Sequence, residues 1–274
     1  MNRSFSLAVI ASLALILFSC KPGRDGGDTA TVIGDEDEFI PFEFNNFNAY
    51  DSCSTSVISI RANIPKANGN EAAEKIRNEL LMKLNNGKST DKNPQKLIDE
   101  ILALEKIELG SLYRDFADTE GPGYESLFEY RYSVSPYFAE QDIIVFDIDC
   151  HGYMGGTHGF FQTTFLCYNK FTGERISLGE IFTNTSPVGK LLRTKAAKEY
   201  VTENNLDDSE ADMFYEDEVK LTDNFTVDRD YIYFQYDEYE LGPSCIGLPL
   251  LKLSKNDVKQ YVIPDSPIYR LWFE

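Results

Sequence analysis

The stretch DIIVFDIDCHGYMGGTHGFFQTTFLCY, residues 142–168, sets two apolar strand-like runs on either side of a loop, Gly152-Tyr153-Met154-Gly155-Gly156-Thr157-His158-Gly159. Four glycines in eight residues mark backbone that needs positive φ or close approach by another chain segment. The loop therefore reads as a built feature, and it holds one of only two histidines in the chain. Upstream, Glu125–Phe138 and Asp142–Cys150 form an antiparallel pair joined near Ala139, Glu140 and Gln141. Downstream, Phe160–Tyr168 places Phe161, Thr163, Phe165 and Cys167 on one face, and Asn169–Gly173 turns the chain back into Arg175–Leu178. The result is a meander of three or four neighbouring strands.

Further out, Phe39–Phe47 and Ser56–Ile64 interleave apolar and polar residues as strands do. Asn68 followed by Glu71 marks a helix start, and Ala73, Ile76, Leu80 and Leu84 recur at helical spacing until Asn85-Asn86-Gly87 stops them. Asn93-Pro94 opens a second helix with a stripe of Leu97, Ile98, Ile101, Leu102 and Leu104, continuing past Gly110 toward Asp118. Ser186-Pro187 opens a third helix that runs to Tyr200. Residues 207–218 are acidic, helix or loop. Asp228-Arg229-Asp230 sits between Asn224–Val227 and Tyr231–Tyr236 as a hairpin turn, Ile246–Leu253 adds a strand, and a short helix at Asp257–Tyr261 closes the domain. Strands and helices mix without βαβ alternation. The expected class is α+β: a mainly antiparallel sheet with packed helices, in two intimately associated subdomains at residues 39–128 and 129–274.

Before residue 39 the chain has a different character. Arg3 precedes an apolar run from Leu7 to Phe18, too short for the roughly 20 residues of a spanning helix and right for a signal peptide over residues 1–19. Leu17 and Ser19 ahead of Cys20 resemble a lipobox, which makes Cys20 the expected lipidation site of an exported, membrane-anchored lipoprotein. Lys21 after it, in place of an aspartate, favours the outer membrane. Residues 20–38, glycine-rich and then acidic, read as a disordered tether.

The formal charge is −19, from 45 acidic and 26 basic residues. Such a field disfavours nucleic acid and speeds the approach of a basic protein. Cys53, Cys150, Cys167 and Cys245 allow up to two disulfides in an exported chain; Cys150 and Cys167 flank the glycine-rich loop and could approach across it. No cysteine pair has zinc-site spacing.

Three groups could carry chemistry. Asp147, Asp149 and His151 alternate along one strand and could share a face as metal ligands or acid–base groups; equally, they are the solvated reverse of a buried face made by Ile144, Phe146, Ile148 and Cys150. His158 lies in the glycine turn without a nucleophile signature beside it, which favours fixing the loop or recognition over catalysis. Around the last hairpin, Tyr231, Tyr233, Phe234, Tyr236, Tyr239 and Glu240 form an aromatic and acidic cluster, with Tyr236 and Tyr239 expected to be exposed as the chain leaves the strand.

Three motifs carry a family resemblance. Tyr153, Gly155, Gly156 and His158 fit Y-x-G-G-A-H, with Thr157 in place of the alanine; Thr172, Gly173, Leu178 and Phe182 fit T-G-x-x-x-x-L-x-x-x-F; and Tyr236–Pro243 follows F-x-P-Y-E-I-x-P, with Glu238 in place of the first proline. Together they resemble the RsiV-like extracellular domain family, found in lysozyme-sensing anti-sigma factors and in the non-catalytic part of PdaC-type peptidoglycan deacetylases. The resemblance covers Tyr130–Val262, and Phe42–Phe128 is similar to the domain that precedes it in that family. It implies an envelope-facing binding module without catalytic residues or cofactor. The implied partner is a basic lysozyme-type protein or peptidoglycan, and the candidate binding residues are Tyr153, Gly155, Gly156, Thr157, His158, Tyr236, Tyr239 and Glu240. Two further readings remain open, a metal-assisted glycan hydrolase using Asp147, Asp149 and His151, and a structural envelope lipoprotein.

Overall fold

The computed structural model describes residues 39–89, 91–121, 125–156, 158–204, 219–242 and 247–274. The expectations placed on residues 1–38, Thr157, 207–218 and Cys245 lie outside these residues. Five strands form one sheet in sequence order: β1 (Phe44–Ser52), β2 (Ser56–Pro65), β3 (Phe128–Glu140), β4 (Ile143–Tyr153) and β5 (Phe160–Asn169). Every neighbouring pair is antiparallel except β2 and β3, which run parallel. A parallel pair needs a long crossover. Helices α1 (Glu71–Asn85) and α2 (Pro94–Glu120) supply it. The boundary drawn between residues 128 and 129 falls at the start of β3, within this continuous sheet. The strand expected at Phe39–Phe47 starts at Phe44 and runs on to Ser52.

Local chemistry sets the helix ends. The Asn70 side chain accepts a hydrogen bond from the Ala73 N–H at 3.0 Å, and Asn86, at φ 41°, closes the helix as a left-handed cap. Asn93 accepts from the N–H groups of Gln95 and Lys96, while Pro94 occupies the first turn, where its missing donor costs no bond. The inner faces of α1 and α2 bring Ile76, Leu80, Ile98 and Ile101 onto Ile58, Ile60, Ile144 and Phe146 of the sheet. Leu104 is 37% exposed, so the buried stripe of α2 is narrower than the sequence pattern suggests.

A second layer covers part of the opposite face. It contains α3 (Leu178–Ile181), then α4 (Ser186–Leu191), which passes through a π-helical stretch (Leu192–Ala196) into α5 (Ala197–Glu203). Its antiparallel sheet is β6 (Phe225–Val227), β7 (Tyr231–Gln235) and β8 (Leu250–Ser254). Lys255–Val258 and Pro267–Phe273 are helical. Phe225, Ile232, Phe234 and Leu251 pack in one core with Phe138, Ile143, Val145 and Phe165 of the first sheet. Polar contacts pin the layers together. Arg229 Nε donates to both oxygens of Glu140 at 2.7 and 2.8 Å, Arg270 Nε donates to Asp142 at 2.9 Å, and Trp272 Nε1 donates to the Asp228 carbonyl at 2.8 Å. The architecture is α+β, as expected from the sequence, with a second packed sheet beside the expected one. Among the described residues no helix is long and apolar enough to cross a membrane.

Cys53, Cys150 and Cys167 are free thiols. The approach of Cys150 to Cys167 fails on register: Cys150 lies opposite Gln162 and Cys167 opposite Val145, an odd offset along β5 that sends the two side chains to opposite faces. Cys167 is buried, and its Sγ donates to the Phe225 carbonyl at 3.2 Å.

Candidate functional site

The glycine-rich loop leaves β4 where β3 and β4 lie too close for a side chain. A Cβ on Gly152 would sit 1.9 Å from the Glu129 carbonyl oxygen, so only glycine fits. Gly155 combines φ +89° with a position where a Cβ would meet the Phe116 ring at 2.8 Å, so the loop lies directly on α2. Tyr153 anchors this arrangement. Its hydroxyl donates to the Gly156 carbonyl at 2.8 Å, and its ring packs edge-on against Phe128, 6.1 Å between centroids. The loop presents Gly156 and His158 to solvent, with His158 Nδ1 donating to the Gly159 carbonyl at 3.0 Å. Tyr153 is thus a support for the loop, and His158 its exposed member.

The second expected region follows β7. Tyr236 does not turn outward: it is 1% exposed, and its hydroxyl donates to the Lys220 carbonyl at 2.7 Å. Burial pushes its phenol pKa up. The expectation of an exposed Tyr236 is overturned because the chain stays tied to Pro249 for one residue beyond β7, its N–H donating to the Pro249 carbonyl at 3.0 Å. The turn begins at Asp237. The Asp237 N–H donates to the Glu240 carboxylate at 2.9 Å, and the Glu240 N–H returns to the Asp237 carbonyl at 3.1 Å. Between them Tyr239 takes a φ of 67° and stands 55% exposed.

The turn meets the edge strand β5 three residues after the glycine-rich loop ends. Gln162, two residues into the strand that follows the glycine loop, donates from Nε2 to the Asp237 carboxylate at 3.2 Å. Further along, the Asn224 side chain acts as a short piece of strand: its Oδ1 accepts from the Phe165 N–H at 2.7 Å and its Nδ2 donates to the Thr163 carbonyl at 2.8 Å. Neither Gln162 nor Asn224 is singled out by the sequence pattern. Gln162 sits between aromatic and hydroxyl-bearing residues at the start of β5, and Asn224 precedes β6. The loop exposes His158, and the turn exposes Tyr239 between the carboxylates of Asp237 and Glu240.

Asp147, Asp149 and His151 do share a face of β4, but Asp149 and His151 are engaged by separate partners. Thr163 Oγ1 donates to Asp149 at 2.7 Å, and the His151 ring stacks on Phe161 at 5.7 Å with 14° between planes. Among the described residues, no three His, Cys, Asp or Glu side chains are grouped to hold a metal ion. Cys53 is a reactive group that the sequence pattern hides. Hydrogen bonds from Ser56 and Thr55 lower its pKa to about 7 in the exposed turn between β1 and β2.

Residues 180–256 match the family described as a protein of unknown function, DUF3298. That segment contains the β6–β8 sheet and the Asp237–Glu240 turn, and it starts after the glycine-rich loop. No curated protein matches the chain. Two solved structures of DUF3298 proteins share its fold. One, from Bacteroides fragilis, aligns with a TM-score of 0.64 at 20% identity over 83% of this chain and 96% of its own. The other, from Pseudomonas aeruginosa, aligns at 0.55 with 15% identity over 86% of this chain and 98% of its own.

Proposed function

We propose that this protein is a lipid-anchored cell-envelope binding module that captures a basic partner of lysozyme type at the β5 edge, without catalysing a reaction. The observation that supports the reading is the Gln162–Asp237 hydrogen bond, which ties the start of β5, three residues past the glycine-rich loop, to the last-hairpin turn, so that two of the three motifs of the RsiV-like resemblance lie at either end of one link. Asp237, Glu238 and Glu240 give the turn a negative charge in a chain already at −19. Tyr239 supplies an aromatic anchor of the kind that dominates protein interfaces. The acyl chains on Cys20 would hold the module at a membrane, with residues 20–38 giving it reach.

Calorimetric titration of the purified full chain with a c-type lysozyme at two salt concentrations tests this. Saturable heat that persists at the higher salt, and weakens about tenfold or more in Tyr239→Ala, supports the reading. Heat that vanishes with salt reduces it to nonspecific charge attraction.

A further inference from the structure

Among the described residues, the five-stranded sheet has a stretch of face that neither layer covers. Register places Tyr50, Ser59, Arg131, His151 and Phe161 side by side in one row across all five strands. The row is about 19 Å long at the usual strand spacing. Its two ends are aromatic and open to solvent, Tyr50 at 65% and Phe161 at 61% exposure. The Phe161 ring is held in place by the parallel His151 ring beneath it. The adjacent row adds Asn48, Arg61, Ser133, Asp149 and Thr163 on the same face, groups that donate and accept hydrogen bonds. One step further along β2, Asn63 Oδ1 is a buried acceptor with no partner.

Charge sets this face apart from the rest of the molecule. In a chain of −19, it carries two arginines, Arg61 and Arg131, against three carboxylates, Glu129, Asp147 and Asp149, and Arg131 is already paired with Glu129. A basic protein gains little from an excess of one carboxylate, and a polyanion is repelled by the chain around it. The surface suits a long, uncharged ligand that offers apolar ring faces to aromatic side chains and hydroxyl or amide groups to polar ones. We infer that this open sheet face binds an extended neutral oligosaccharide, with Tyr50 and Phe161 stacking on its sugar rings and Arg61 and Thr163 hydrogen-bonding its hydroxyls. The site is distinct from the β5-edge surface, and the inference does not rest on the lysozyme reading.

The test titrates chitotetraose and cellotetraose, two neutral β-1,4-linked tetrasaccharides, into the full chain by calorimetry. Saturable binding of at least one is expected, weakened about three- to tenfold by Tyr50→Ala and by Phe161→Ala and unchanged in Tyr239→Ala. Both rings are exposed, so the two variants keep the fold, and circular dichroism verifies it. The inference is overturned if neither sugar binds saturably, if both ring variants bind like the native chain, or if Tyr239→Ala alone removes binding.

Discussion

The two halves of β4 obey different rules. Over Ile143–Phe146 every side chain is buried, because α1 and α2 cover one face and the β6–β8 layer covers the other. From Asp147 to His151 only the helix-side face is fully packed, and the other presents the partly exposed polar side chains of Asp147, Asp149 and His151. The same strand is a core element at one end and a platform at the other. Burial on both faces removes the alternation by which a half-buried strand is recognised and leaves a continuous apolar run. The open half keeps its alternation, and both candidate surfaces lie beside it.

The largest contrast should appear in thiol reactivity. Cys167 belongs to the doubly covered region, where burial pushes its pKa up to about 12; burial also raises that of Cys150, at the open half; and Cys53, exposed in its turn, sits at about 7. Iodoacetamide labelling at neutral pH, read peptide by peptide by mass spectrometry, should modify Cys53 first, on the order of a thousandfold or more faster than Cys167. Fast labelling of Cys167 in the native protein would break the distinction between the halves.

Stability follows the same division. Phe146→Ala in the closed half should cost about 3–5 kcal/mol in urea unfolding. His151→Ala in the open half should stay within about 0.5 kcal/mol. Between them lies the pH response of the covering layer. Burial opposes the Asp257 carboxylate, but hydrogen bonds from Lys195 and Ser254 outweigh it and hold its pKa below the ordinary value. A folded-state pKa below the unfolded one adds stability at pH values above the unfolded pKa, and that stability is lost as pH falls through the folded pKa. Asp257→Asn should therefore be less stable than the native chain at neutral pH, and the gap should close on acidification below about pH 3.9. A gap that persists at lower pH would detach Asp257 from the acid response.

Much of the first sheet was legible because its signals are local. The cap at Asn93 and the β3–β4–β5 meander stand where the residues placed them, while the start read at Asn68 falls two residues later, at the Asn70 cap. The parallel β2–β3 pair was not legible, since it depends on where two helices return the chain and no residue in either strand encodes it. The C-terminal helix Pro267–Phe273 was announced by Ser266 as a cap and Pro267 at the first turn, a start signal easily passed over before a seven-residue helix. At the candidate site, the glycines declared their constraint directly. Tyr236 misled because the end of a strand was equated with exposure, whereas backbone pairing with Pro249 carries that residue into the core. The run Ile143-Ile144-Val145-Phe146 held the signal of a second covering layer, and reading only its even positions as buried missed it.

The most direct test of the proposed function is hydrogen–deuterium exchange of the full chain with and without a c-type lysozyme. The account predicts added protection in peptides spanning residues 153–162 and 236–242, and none in residues 143–146, which are already closed to solvent. Protection confined to other segments, or no change on saturation with lysozyme, would contradict it.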